Sequence, residues 1–252
     1  MRHVLALLLA LQCLTAALAQ ERRSGFDDMA RETQAMQRED AANPAMLWVD
    51  EGAAIWSRPA GAQGLSCANC HGAAEASMAG IAARYPAWDE GRFTAIDLAG
   101  RIAQCREQRQ HAPALARESE GLLALAAFIG LQSRAMPLAP SADGRLQATR
   151  AWGEALYRQR RGQLDLSCAQ CHDDNAGRRL AGSTIPQAHP TAYPLYRLEW
   201  QGLGSLQRRL RGCMSGVRAE PFAYGAAEMI AIEAWLAQRA AGMAVETPGV
   251  RP

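Results

Sequence analysis

The sequence predicts an all-α protein built from two tandem copies of one small helical domain. Three observations carry this. A short cysteine motif occurs twice, the residues around it recur at fixed distances, and no stretch shows strand-like alternation. At 252 residues the chain is long enough for one large or two ordinary domains. With 49% hydrophobic and 21% charged side chains it is globular rather than disordered. A net charge of +2 gives no ground for a nucleic-acid partner or an anionic membrane surface.

The first element is an export signal. Met1-Arg2-His3 is a short basic start, and the apolar run that follows ends in Ala17-Leu18-Ala19. Small residues at the end of such a run mark a cleavage site, expected after Ala19. The run is short for a membrane span. Gln12 is a poor residue before a lipidated Cys13, and no later stretch is apolar enough to cross a bilayer. Of seven cysteines, Cys13 leaves with the signal and six remain. An even count in an exported chain suggests disulfides, but the spacing here points elsewhere.

Cys67-Ala68-Asn69-Cys70-His71 and Cys168-Ala169-Gln170-Cys171-His172 are both C-x-x-C-H. Two thiols at this spacing add across the two vinyl groups of a haem. The adjacent histidine then lies beneath the iron as its proximal ligand. The sequence therefore predicts two covalently bound haem c groups. Cys67, Cys70, Cys168 and Cys171 would attach them, with His71 on the first iron and His172 on the second. The domains are of cytochrome c type.

The repeat orders the other elements. Gly52 and Gly153 each precede the first motif cysteine by fifteen residues, in the matching stretches GAAIW and GEALY. Tyr85-Pro86 lies twenty residues before Cys105, and Tyr193-Pro194 lies twenty before Cys213. Counting back from those cysteines, Leu98 matches Leu206, Arg101 matches Arg209 and Ile102 matches Leu210. Leu203, Leu206 and Leu210 fall on one face of a helix that leads into Cys213. Apolar segments near 120–135 and 226–240 predict a closing helix for each half. The turn-rich stretch Met136–Gly144 reads as a linker. The divisions are a signal at 1–19, an extension at 20–46 that is charged and has no haem ligand, and domains at 47–138 and 139–252.

Cys105 and Cys213 are left over at equivalent places. A disulfide between matching positions of two separate domains is geometrically awkward, and inert buried thiols are a second reading. The matched placement favours a third, in which each thiol is the sixth ligand of its iron, opposite the histidine. Met136 and Met243 follow the closing helices, and Met78 and Met214 are also available as ligands. His111 and His189 are not at matched positions. Cys213 lies among Arg208, Arg209, Arg211 and Arg218, a setting that favours thiolate and an anionic substrate. Arg209, one helical turn before Cys213, shares its face. Haem propionates are the competing partners for these arginines, and Arg239 is a further candidate for the pocket.

The paired motifs, the late cysteine of each domain and the segment RLRGCMSGVRAEPF resemble the SoxA family, dihaem subunits of the SoxAX cytochromes of periplasmic sulfur oxidation. The resemblance covers nearly all of the mature chain. It implies an L-cysteine S-thiosulfotransferase that joins thiosulfate to a cysteine of a SoxYZ-like carrier protein, with electrons leaving to a c-type cytochrome acceptor. It also implies a SoxX-like monohaem partner packed near the second haem. Cys213 would be the second iron's ligand and the catalytic sulfur, found as a persulfide in that family, with Arg209 at its side. Cys105 would be ligand to the first iron. Two other functions fit parts of the pattern: a thiosulfate dehydrogenase forming tetrathionate, and a dihaem electron-transfer cytochrome without chemistry of its own. A dihaem peroxidase would need an acid/base residue in place of the cysteine.

Overall fold

A computed structural model describes residues 21–252. The export signal read at Met1–Ala19 lies outside the described residues. Each half is built on a pair of crossed helices. In the first half α2 (Met46–Ser57) packs on α6 (Glu120–Leu131), and in the second α7 (Gln147–Arg158) packs on α10 (Ala227–Arg239). The two glycines picked out by the repeat sit at these crossings. A Cβ on Gly52 would run into the carbonyl of Ala124, and one on Gly153 into that of Ala231. Only glycine lets the backbones approach this closely.

The motifs fold as short helices, α3 (Cys67–His71) and α8 (Cys168–His172). Ser66 and Ser167 cap them, and Asn69 and Gln170 complete reciprocal capping boxes. The residues between the two cysteines therefore also start the helix. Each motif is tied to its crossing helix by an aromatic side chain. Trp56 Nε1 donates to Gly72 O at 3.1 Å, and Tyr157 OH donates to Asp173 Oδ1 at 2.8 Å. The helices that carry the late cysteines are α5 (Leu98–Gln108) and α9 (Leu206–Gly216), N-capped by Asp97 and Ser205. Helices α1 (Arg31–Arg38) and α4 (Ala74–Ser77) complete the set.

The helical reading holds for the architecture, with small sheets added. Antiparallel hairpins β1 (Ala87–Asp89) with β2 (Thr94–Ile96) and β5 (Leu195–Arg197) with β6 (Gly202–Gly204) occupy equivalent places in the two halves. β3 (Arg179–Leu180) pairs with β4 (Ser183–Thr184), and β7 (Gly249–Arg251) adds to β5 in parallel. Strands of two or three residues are too short to show alternation in a sequence.

The halves are interlocked. β2 of the first half lies against α10 of the second, and β6 of the second lies against α6 of the first. Tyr196, Leu203 and Val250 accordingly enter the first half's core beside Trp56, Leu125 and Phe128. Pro137 and Ala244, which follow the two closing helices at equivalent positions, form an antiparallel bridge with one another. The stretch read as a linker thus begins as part of the seam.

The extension wraps the second half. Asn43 Nδ2 donates to Pro248 O at 3.0 Å, Gln37 Oε1 accepts from Val250 N at 2.9 Å, and Arg23 N donates to Gln187 Oε1 at 2.8 Å. No helix of the described residues is long and apolar enough to cross a membrane.

Candidate functional site

In each half the late cysteine comes back to the motif. Cys105 lies close enough to Cys67 and Cys70 for their charges to be felt, and Cys213 stands in the same relation to Cys168 and Cys171. No disulfide joins any of the six described cysteines. The two halves differ in what surrounds the late cysteine.

In the second half, His172 Nδ1 lies 2.7 Å from Pro186 O. That carbonyl takes up one ring nitrogen and leaves the other for a ligand. His172 and Cys213 line the same cavity, near enough for the imidazole to act on the thiol. An imidazole nitrogen and a cysteine sulfur on one cavity are a donor pair that low-spin haem iron takes. Two buried donors in the same core, Arg161 Nε and Trp235 Nε1, have no acceptor among the described residues. Trp235 packs in the cluster that holds Cys168, and Arg161 stacks on Phe222 of that cluster at 4.5 Å. Unanswered donors beside an attachment cysteine suit a haem and its carboxylates. The residues present therefore fit haem c.

The cavity around this pair has a volume of about 560 Å³. His172, Arg197, Arg209 and Cys213 line it, and Gly25, Asp28 and Met29 of the extension form part of its wall. Tyr193 also borders it, its hydroxyl pushed up to about 12 by burial. Burial raises the Cys213 thiol as well, but His172, Arg209 and Arg197 nearby outweigh it and bring the thiol below its ordinary value. For Cys105, burial wins over Arg101 and Arg109, and the thiol is raised.

The arginine-rich segment separates by role. Arg209 lines the cavity and makes no ion pair with another described residue. Arg208 lies over the Trp200 ring at 4.2 Å. Arg211 holds the following loop by donating to Phe222 O and stacking on Tyr224. Arg218 is exposed. Arg239 is bound to Asp173, 2.6 Å away, and is absent from the cavity lining. Met78 and Met214 are buried in the two cores, and Met136 is exposed. Met29 is the one methionine among the described lining residues, with Arg251 Nη1 3.9 Å from its sulfur.

Sequence reasoning missed Arg197, Met29 and the wall made by the extension. The extension left no local signal, because its partners are some two hundred residues away in the chain. Arg197 did leave one, as a mismatch in the repeat opposite Asp89.

The family described as SoxA/TsdA, cytochrome c domain, matches residues 51–138 and 152–245. The chain is 37% identical over 231 residues to the L-cysteine S-thiosulfotransferase subunit SoxA of Rhodovulum sulfidophilum, covering 92% of this chain and 80% of that one. It is also 37% identical over 229 residues to the protein of the same name from Pseudaminobacter salicylatoxidans, covering 90% and 80%. The crystal structure of SoxXA from P. pantotrophus superposes with a TM-score of 0.89 at 33% identity, covering 95% of this chain and 90% of that one. Both halves match one family of cytochrome domains, and the relatives match across the seam, so this chain belongs to the SoxA/TsdA cytochrome c family and, within it, to the SoxA proteins.

Proposed function

We propose that this chain is a dihaem cytochrome subunit that couples thiosulfate oxidatively to the cysteine thiol of a sulfur-carrier protein of the SoxYZ kind. Its two haem c groups are attached through Cys67 and Cys70, and through Cys168 and Cys171. His71 with Cys105 ligates the first iron, and His172 with Cys213 the second. A SoxX-like monohaem subunit is its partner, a c-type cytochrome takes the electrons, and the periplasm is its compartment.

The observation that carries this reading is the second cavity, where His172 and Cys213 share a wall with Arg209, which has no counter-ion among the described residues. The overall step joins a carrier thiolate to the outer sulfur of thiosulfate. It forms one S–S bond and releases two electrons. Haem c supplies one-electron acceptance when bound. The protein's own residues do the rest. Arg209 offers a planar fork of donors to the sulfonate oxygens. Cys213 presents a nucleophilic sulfur in the same cavity, and the positive charges of Arg209 and Arg197 favour its anionic form. Burial within the cavity keeps these charges from being screened by water.

The test is low-temperature EPR of the ferric, haem-loaded protein beside Cys213→Ala and Cys105→Ala, followed by assay with thiosulfate and the carrier. Each substitution is expected to remove one thiolate-type low-spin signal, and only Cys213→Ala to abolish coupling. Spectra unchanged by both substitutions would favour a plain electron-transfer cytochrome. Tetrathionate formed without the carrier would favour a dehydrogenase.

A further inference from the structure

The duplication supplies an internal control for the second cavity. Sixteen residues before the late cysteine, the first half has Asp89 and the second has Arg197. Each is the last residue of the first strand in its hairpin. One residue before the late cysteine, the first half has Gln104 and the second has Gly212. These two positions decide how the matched arginine is used.

In the first half Asp89 is buried, and Gln104 Nε2 donates to its Oδ2 at 2.7 Å. Arg101 Nη1 stands 3.8 Å from the same oxygen and donates to Gln104 Oε1. The protein itself answers the arginine's charge. In the second half both partners are gone. A guanidinium stands where the carboxylate would be, and glycine replaces the amide, with nothing within 4 Å of where its Cβ would lie. Arg209 is left without a counter-ion among the described residues.

Arg197 is held firmly in place. Its Nε donates to Pro252 O at 2.8 Å, its Nη2 lies 3.0 Å from Glu199 Oε2, and its guanidinium lies 5.1 Å from the Trp200 ring centroid. Glu199 is two-thirds exposed, so water screens its charge. Burial and the nearby Arg209 both work against the charged form of Arg197 and lower its pKa. Of the other cations lining the cavity, Arg251 is paired with Glu246 at 2.6 Å and Arg179 donates to Gly182 O. His189 contacts Arg23 O through Nδ1. An anion between Arg197 and Arg209 would relieve their repulsion.

We propose that Arg197 is a second substrate-binding arginine, which with Arg209 clamps the sulfonate end of thiosulfate beside Cys213. This rests on the reading of the site as a thiosulfate-coupling centre. A sulfonate presents three oxygens, and one fork engages two of them. A second guanidinium has an oxygen left to bind. The exchange of Asp89 for Arg197 also explains why only one half of a duplicated chain would take an anionic substrate.

The test uses the haem-loaded protein with its partner subunit, carrier and acceptor. Arg197→Gln, Arg197→Lys and Arg197→Asp are compared at varied thiosulfate. Arg197→Gln is expected to raise KM for thiosulfate about tenfold or more, the effect of losing a charge-assisted hydrogen bond, with a smaller change in kcat. Lysine recovers part of the loss. Aspartate restores the charge arrangement of the first half and is the most damaging. The low-spin EPR signal of the second haem is retained throughout. An unchanged KM in all three variants overturns the proposal, and a shifted haem potential with that result makes Arg197 a propionate partner. If the wild-type protein couples no thiosulfate, the functional reading fails by itself. The clamp is then judged by calorimetric titration with thiosulfate. Binding weakened about tenfold or more in Arg197→Gln upholds it, whereas equal binding or none in the wild type overturns it.

Discussion

Gly153 and Ala231 meet backbone to backbone where α7 crosses α10, as Gly52 and Ala124 do in the other half. Gly153→Ala is therefore expected to destabilise the fold by about 2 kcal/mol or more, because overpacking exceeds the helix-propensity gain of alanine. Gly144→Ala, where a Cβ meets nothing within 4 Å, serves as the control and leaves the thermal midpoint unchanged or slightly raised. Thermal unfolding followed by circular dichroism checks both.

Glu233 faces a seam cavity of about 160 Å³ that Asp97 and Arg117 also line. Arg117 pairs with Asp97 at 2.6 Å, which leaves Glu233 only a long hydrogen bond from Gln207 Nε2 at 3.3 Å. Burial, then the charge of Asp97, pushes its pKa up to about 8 from 4.5. Between those values the folded chain binds the extra proton, so this group's contribution to stability is full below about pH 4.5 and falls as pH rises to about 8. The slope is at most about 1.4 kcal/mol per pH unit. Glu233→Gln is expected to remove that slope. Denaturant unfolding of both proteins from pH 5 to 8 measures it, and identical slopes would refute the assignment.

Arg209 and Arg211 are two residues apart but do different work. Arg211→Ala loses the hydrogen bond to Phe222 O and the stacking on Tyr224. It is expected to cost about 2 kcal/mol of stability. Arg209→Gln is expected to leave the thermal midpoint within about 0.5 kcal/mol of equivalent stability and to raise KM for thiosulfate. Melting curves and steady-state kinetics on the same two variants separate these outcomes.

Asn43 joins the extension to the end of the chain. It is buried, its Oδ1 accepts from Ala45 N at 2.9 Å, and its Nδ2 donates to Pro248 O. Asn43→Ala strands both partners and is expected to cost about 2 kcal/mol. Hydrogen exchange at Val250, whose amide is bonded to Gln37 Oε1, should quicken with it.

Much of the fold was legible because it is written in local spacing. The crossing glycine stands fifteen residues before each motif, and Leu98 and Leu206 open the helices that carry Cys105 and Cys213. The hairpins were hidden by their brevity. The position of 20–46 was hidden by distance along the chain, since Gln37 and Val250, which meet in the fold, are 213 residues apart in sequence. Arg209 was legible from its place one turn before Cys213. Arg197 was not, because a repeat is recognised through residues that agree, and Arg197 matters through disagreement with Asp89.

The interlocking of β2 with α10 and of β6 with α6 is reciprocal, and Pro137 pairs with its own counterpart Ala244. Contacts of this form are those of a two-fold homodimer, in which one patch meets its copy. The chain carries such a dimer's geometry within a single polypeptide. In a dimer of identical chains every substitution appears twice, so a charge reversal that opens one cavity would open both. Once the two copies are joined, Asp89 and Arg197 are free to diverge. Covalent fusion thus gives the molecule something symmetry denies it: two related sites under separate selection.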